Sequence, residues 1–235
     1  MTTTTDTAIQ NGFDHARFNM IEQQIRPWEV LSPQVLDLLS RIRREDFVPA
    51  AHRSLAFADM ELPLTHPAVE GQCMLAPKVE ARLLQDLDLR PSDKVLEIGS
   101  GSGYMAALLA SLSRSVVSVE IDPVLAATAR DNLRNAGIGN AEVRHADAAA
   151  QDFAACSVNG PFDAILLSGS VAELPPALLA LLAPGGRLAA IVGFEPMMRA
   201  TIVTRTGDAS FQTAQPWDTV APRLLNFPEP SRFRF

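Results

Sequence analysis

From residue 94 onward, the chain alternates between short apolar runs and longer stretches in which apolar residues recur every three to four positions. Short apolar runs rich in β-branched residues predict strands, and the three-to-four spacing predicts helices. A strand–helix–strand rhythm is typical of βαβ units in a parallel sheet. The predicted strands are 94–98, 115–121, 142–145, 163–167 and 187–192, and the predicted helices are 104–112, 123–136 and 175–182.

The pattern changes at both ends of this region. Residues 200–205 and 209–214 flank a Thr-Gly-Asp turn, which predicts an antiparallel strand pair at the sheet edge. Before residue 94, Ser32-Pro33 is a helix-start signal, and residues 76–89 form a second amphipathic pattern. We therefore predict an α/β fold with a doubly wound, mostly parallel, Rossmann-like sheet, an antiparallel C-terminal strand pair and an N-terminal helical preface.

This pattern gives one domain over 15–235, preceded by a flexible polar tail over 1–14. Within the domain, 15–93 is the helical preface with a substrate loop, 94–214 is the cofactor-binding sheet, and 215–235 is an extended C-terminal tail. The stretch LLNFPEPSRF in that tail is a candidate cover for the acceptor site.

Composition narrows the class of protein. Of 235 residues, 47% are hydrophobic and 20% are charged, as in soluble globular proteins, and the net charge of −7 argues against nucleic acid as a partner. Cys73 and Cys156 lie far apart, which predicts neither a metal site nor a disulfide framework. The apolar runs are too short to span a membrane, and no secretory signal is evident. We expect a cytoplasmic protein, with the basic cluster at Arg41, Arg43 and Arg44 as a solvated helix end.

Three glycines, Gly99, Gly101 and Gly103, follow the first predicted strand and open a helix. Open α/β sheets bind ligands at the carboxyl ends of their strands, so this loop is a candidate binding loop. The match to G-x-G-x-x-A from Gly101, with Glu120 about 20 residues further on, allows a dinucleotide such as NAD.

Three acids favour a different ligand. Glu97 precedes the loop, where it would repel a pyrophosphate, and Asp147 follows the third strand. Glu120 suits a pair of ribose hydroxyls, Asp147 an adenine amino group, and Glu97 an ammonium or sulfonium group. S-adenosylmethionine carries all of these groups. A dinucleotide-binding protein and a non-catalytic binder of S-adenosylmethionine stay open as alternatives.

The stretches VLEIGSGSGY, VVSVEID, RHADA, PFDAILLSG and LAPGGRLAAIVG occur in the order of a class I S-adenosylmethionine-dependent methyltransferase. The preface stretches MIEQQIR, IRREDFVP, LAFADMELPL and GQCMLAP resemble the protein-L-isoaspartate O-methyltransferase family. The resemblance extends over roughly residues 17 to 205.

The resemblance implies a protein-repair enzyme that methylates the α-carboxylate of an isoaspartyl residue, after which the ester collapses to a succinimide. Its partners would be damaged proteins or peptides. It implies S-adenosylmethionine as cofactor and no metal. The implied cofactor-binding residues are Glu97, Gly99, Ser100, Gly101, Gly103, Glu120, Asp147 and Ala148.

The chain departs from the family pattern around the acceptor. The family loop resembles G-Q-T-I-S-x-P, whereas here Cys73 stands for the threonine and Leu75 for the serine that touches the reacting carboxylate. Leucine has no hydrogen-bond donor, so Ser168 or Ser170 is a candidate replacement. Leu75 also keeps open a more apolar acceptor, small or proteinaceous. The catalytic residues and the oligomeric state do not follow from the sequence.

Overall fold

The computed structural model describes residues 4–150, 153 and 156–230. Its α-helices are α1 (Thr4–Met20), α2 (Pro33–Arg41), α3 (Pro77–Leu87), α4 (Tyr104–Leu112), α5 (Pro123–Asn135) and α6 (Pro176–Ala180). Its strands are β1 (Leu62–Pro63), β2 (Cys73–Met74), β3 (Lys94–Ile98), β4 (Ser115–Glu120), β5 (Ala141–His145), β6 (Phe162–Val171), β7 (Leu182–Phe194), β8 (Met197–Arg205) and β9 (Phe211–Thr219). A π-turn, Ile21–Ile25, and 3₁₀ turns at Arg26–Trp28, Arg44–Asp46, Ala50–Leu55 and Ala148–Ala150 connect them.

The main sheet has the strand order β5-β4-β3-β6-β7-β8-β9. The strands from β5 to β7 pair in parallel, and β8 and β9 continue the sheet antiparallel. The predicted fold class is therefore confirmed, including the C-terminal strand pair. Strand β6 runs four residues past its predicted end at Leu167, because its last residues pair with β7 on one side and Ser170 pairs with the C-terminal segment on the other.

Alternate residues of the central strands belong to two separate cores, as expected when side chains point to opposite faces. Val95 joins a large core formed with the preface helices, α4 and α5, whereas Leu96 packs into a second core that includes α6. Burying these strands on both faces explains their near-continuous apolar sequences.

The N-terminus differs from the predicted flexible tail over 1–14. Helix α1 begins at Thr4, and residues 1–3 lie outside the described residues. Phe13 and Ala16 pack against the large core. Tertiary packing of this kind stabilises a helix, and the polar N-terminal sequence does not reveal it. At the other end, β9 extends to Thr219, beyond the predicted start of the tail at 215, and residues 231–235 are not described.

The prediction that Arg44 belongs to a solvated basic cluster is wrong. Its side chain is 1% exposed and forms an ion pair with Glu80, which is also buried. Its remaining donors bind the carbonyl oxygens of Ala56 at 2.9 Å and Leu75 at 2.8 Å. A buried guanidinium needs such partners. The contacts with Glu80 and Leu75 connect the turn that carries Arg44 to helix α3 and to the loop before it.

Gly103 caps α4 with a φ of +84°, and a Cβ there would lie 3.1 Å from the carbonyl oxygen of Ala129 on α5. We predict that Gly103→Ala lowers the free energy of unfolding by about 3 kcal/mol, from backbone strain and the lost close packing of two helices. Urea unfolding measures it.

Gly137→Ala is the matched control, because Gly137 has a φ of +72° and open space around its Cβ position. It should cost only about 1 kcal/mol, the backbone part alone. Equal costs for the two variants would contradict the packing role of Gly103.

Candidate functional site

The chain leaves the carboxyl ends of β3 and β6 in opposite directions across the sheet, since β3 leads to β4 on one side and β6 to β7 on the other. Such a switch point opens a crevice in which α/β proteins bind ligands. A cavity of about 210 Å³ lies there. Its walls come from the loop after β3, the ends of β4 and β5, the segment 64–73 and the C-terminal segment 223–227.

The glycine loop forms the floor of this cavity. Gly99 and Gly101 have φ values of +91° and +51° and line it with bare backbone. A Cβ at Gly101 would lie 3.0 Å from Leu64, and one at Gly99 would lie 3.0 Å from Leu224. The backbone conformation therefore favours glycine at both positions, and a leucine side chain lies close to each place where a Cβ would stand.

Glu120, at the end of β4, fixes the loop from the side. One carboxylate oxygen accepts the Gly101 N–H at 2.8 Å, and the other accepts the Asp122 N–H at 3.0 Å. Only 6% of Glu120 is exposed, and it lines the cavity. A carboxylate oxygen can accept two hydrogen bonds, so Glu120 remains able to accept from ligand hydroxyls.

Asp147 lines the cavity just after β5. Its carboxylate accepts the Ala149 N–H at 2.9 Å and the side-chain amide of Asn226 at 2.7 Å. Ala148 and Leu125 are also among the lining residues. The result is an anchored acid beside apolar walls, which suits a flat polar ring.

Glu97 lies beneath the loop and is fully buried. It accepts hydrogen bonds from Ser118 at 2.6 Å and Ser168 at 2.7 Å, and Ser118 in turn lies 2.5 Å from Ser100. Burial raises the pKa of Glu97 to about 7, although the two hydroxyls partly oppose this shift.

The eight residues implied for the cofactor therefore fall into two groups. Five line the cavity: Gly99, Gly101, Glu120, Asp147 and Ala148. Glu97, Ser100 and Gly103 are not among its lining residues. Ser100 and Glu97 hold the loop from below through hydrogen bonds, and Gly103 packs against α5.

The loop before α3 covers the cavity on the preface side. Gln72 donates to the Asp122 carboxylate at 3.0 Å, and the Leu75 carbonyl is held by Arg44. Leu75 is buried and lines a small second cavity of about 30 Å³. Cys73 lines both cavities, and burial together with Glu61 raises the pKa of its thiol to about 12.

The two candidate replacement serines have different surroundings. Ser168 lines both cavities and donates to Glu97. Ser170 is fully buried and donates to the Ala221 carbonyl at 2.8 Å. Only Ser168 is therefore placed to meet an acceptor.

Sequence reasoning missed several residues of the cavity wall. Leu64 and Gln72 lie in preface stretches that carry the family resemblance but were not assigned to the cofactor, and Leu125 lies in the first turn of α5. Of the C-terminal tail, Arg223, Leu224, Leu225 and Phe227 line the cavity, and that the tail covers the acceptor stays a prediction.

This sheet order, the glycine loop after the first strand of the sheet and the acids after the next two define a class I methyltransferase fold. A structure from Plasmodium falciparum, which bears the protein-L-isoaspartate O-methyltransferase name and contains S-adenosyl-L-homocysteine, superposes with a TM-score of 0.72 at 20% identity, covering 90% of this chain and 98% of the other. A second structure named protein-L-isoaspartate O-methyltransferase gives a TM-score of 0.73 at 22% identity, covering 90% and 67%.

Sequence comparison identifies the family within this class. The model of the protein-L-isoaspartate(D-aspartate) O-methyltransferase family matches residues 16–220. Protein-L-isoaspartate O-methyltransferases of Koribacter versatilis and Aeropyrum pernix are each 38% identical, covering 83% of this chain and 83% and 74% of the relatives. The chain belongs to the protein-L-isoaspartate(D-aspartate) O-methyltransferase family.

The buried Glu97 predicts a pH dependence of stability. Ser118 and Ser168 face its carboxyl group, and the charges of Glu120 and Glu80 act on it. Its folded pKa of about 7 exceeds the usual 4.5, so between these pH values the folded state binds more protons than the unfolded state. Stability from this group is therefore lost as pH rises from about 4.5 through 7.

We predict that Glu97→Gln flattens the fall in unfolding free energy between about pH 5 and pH 8, by on the order of 1 kcal/mol. Urea titrations at several pH values measure it. Glu173→Gln, at an exposed site, is the control and should run parallel to the wild type. A parallel profile for Glu97→Gln as well would show that Glu97 does not titrate in this range.

Proposed function

We propose that the protein transfers a methyl group from S-adenosylmethionine to the carboxylate of isoaspartyl residues in damaged proteins. The observation that carries this proposal is that Glu120, Asp147 and the backbone of Gly99 and Gly101 line one cavity. Family membership supports the same activity. Glu120 alone would also suit the ribose of NAD, whereas the further acid Asp147 after the next strand suits an adenine amino group and favours S-adenosylmethionine.

The residues of the cavity fit S-adenosylmethionine. Glu120 would accept hydrogen bonds from the ribose hydroxyls, and Asp147 from the adenine amino group, with Leu125 and Phe227 against the ring. The backbone at Gly99 and Gly101 would border the amino-acid part. We assign Glu97, Ser100 and Gly103 to positioning this loop.

When bound, S-adenosylmethionine supplies a methyl group already activated by its sulfonium. The protein then has to align an acceptor with that methyl group and exclude water. A carboxylate acceptor carries no proton that must be removed, so no general base is required. The apolar walls around Leu75 and Leu224 would strip water from the acceptor.

Cys73 has to remain unreactive in such a site. A thiolate next to a sulfonium would itself be methylated, because the thiolate is the nucleophilic form. Burial and the neighbouring Glu61 raise the pKa of Cys73 to about 12, which keeps the thiol protonated at neutral pH. The sequence change to cysteine is therefore compatible with methyl transfer.

A second candidate function is methyl transfer to a more apolar acceptor. The buried Leu75 favours it, because this side chain lines the small cavity beside Ser168 where the resemblance places a serine. An isoaspartyl peptide would then be a poor substrate, and an uncharged acceptor a better one.

We further propose that the protein acts in the cytoplasm, without nucleic acid or membrane as a partner. Two free, half-buried cysteines and a net charge of −7 support this proposal. None of the helices in the described part of the chain combines the length and the hydropathy needed to cross a bilayer.

The test is base-labile methyl transfer from labelled S-adenosylmethionine to an isoaspartyl peptide, with the matching aspartyl peptide as control. We expect transfer to the isoaspartyl peptide alone. Transfer to neither peptide by folded protein that binds S-adenosylhomocysteine would favour the second candidate function.

Ser168→Ala tests the replacement donor in the same assay. In this structure the single O–H of Ser168 is donated to Glu97. If it turns to the acceptor during the reaction, its loss should lower kcat/KM for the isoaspartyl peptide by roughly tenfold or more. Ser111→Ala is the control, since the Ser111 hydroxyl is exposed and bonds only to the carbonyl of its own helix. Unchanged kinetics for Ser168→Ala would remove Ser168 from the acceptor site.

A further inference from the structure

The C-terminal segment Ala221–Phe227 is built into the sheet at the switch point. The Ser170 N–H donates to the Pro222 carbonyl at 2.7 Å, and the Leu224 N–H donates to the Ser170 carbonyl at 2.9 Å. Leu224 covers Gly169 so closely that a Cβ there would lie 2.9 Å from it. The segment therefore occupies a fixed place beyond the end of β3, directly over the glycine loop.

This placement brings one cation to the cavity. Within the described residues, the charged side chains lining it are the acids Glu70, Glu120 and Asp147 and a single base, Arg223. Arg223 lies toward Ser170 and Gly193, at the ends of β6 and β7, whereas Asp147 lies at the end of β5 on the other side of the glycine loop. The cavity is thus electrically asymmetric along its length.

The guanidinium of Arg223 is held in position without being neutralised by a buried acid. It donates to the Gly193 carbonyl at 2.9 Å and to the Ser170 hydroxyl at 3.3 Å, and it lies 5.3 Å from the ring centre of Phe194. Among the described residues its one ion pair is with Glu229, at 3.0 Å, and the Glu229 side chain is 54% exposed.

Arginine carries five N–H donors in a planar fork that matches a carboxylate. The contacts above use three of them, so two remain for a ligand. Both molecules of the proposed reaction bring a carboxylate into an otherwise acidic cavity, the acceptor by definition and the cofactor through its amino-acid part. Each of these carboxylates needs an opposing charge when it leaves water.

We propose that Arg223 binds a carboxylate at the methyl-transfer end of the cavity, and that Glu229 occupies part of the same guanidinium until this carboxylate arrives. The inference rests on the proposed function. Arg223 would then supply a charged group that binds the carboxylate, which the apolar Leu75 cannot do. It lies in a segment outside the stretches that carry the family resemblance.

The test compares Arg223→Gln with the wild type in two arms. Calorimetry measures the Kd of S-adenosylhomocysteine and of 5′-methylthioadenosine, which lacks the amino-acid carboxylate, and the peptide assay measures KM and kcat. If Arg223 binds the cofactor carboxylate, the Kd of S-adenosylhomocysteine rises tenfold or more and that of methylthioadenosine does not change. If it binds the acceptor, the peptide KM rises tenfold or more and both Kd values stay within twofold.

Arg223→Lys keeps the positive charge but loses the planar fork of donors. Its affected Kd or KM should therefore lie between the values of the wild type and of Arg223→Gln. Glu229→Gln removes the competing carboxylate, so it should lower the affected Kd or KM by two- to threefold, and it decides the question if Arg223→Gln does not fold. Unchanged Kd and KM values in Arg223→Gln, or in Glu229→Gln where the first variant is unfolded, would overturn the inference. Wild-type protein that binds no S-adenosylhomocysteine and methylates no peptide would overturn the proposed function as well.

Discussion

Two backbone N–H groups at neighbouring strand ends share one carboxylate, and the cavity depends on this arrangement. The Glu120 side chain accepts the Gly101 N–H from the glycine loop and the Asp122 N–H from the start of α5. Asp122 then caps α5 and accepts a hydrogen bond from Gln72 in the loop before α3. Glu120 and Asp122 thus connect segments that are far apart in sequence, and Glu120 also lines the cavity.

The wall formed by the C-terminal segment depends on the close approach of that segment to β6 and to the glycine loop. Gly169 and Gly99 have no side chains, and Leu224 fills the space that side chains would take. The C-terminal segment can therefore pair with the end of β6 and deliver Arg223 to the cavity. Glycines at the switch point have two effects, since they line the cavity with bare backbone and leave room for the C-terminal segment beside it.

The local sequence pattern was enough to predict the strand and helix that flank the glycine loop at the cavity. Strand β3 and helix α4 have the predicted bounds, because their apolar periodicity is uninterrupted and glycines separate them. Arg44 was misassigned, since adjacent charges in sequence look solvated and only the tertiary fold reveals Glu80 opposite. Likewise, the pairing of residues 221–224 with β6 is a contact over about 50 residues that no local pattern encodes.

A crystal structure of the protein with S-adenosylhomocysteine would test this account most directly. It predicts the ribose hydroxyls on the Glu120 carboxylate, with the Gly101 and Asp122 N–H groups still bound to it, and the adenine beside Asp147. A complex in which the nucleoside lies away from Glu120, or in which Glu120 has to release the glycine loop to bind it, would contradict the claim that this one carboxylate both builds the cavity and holds its ligand.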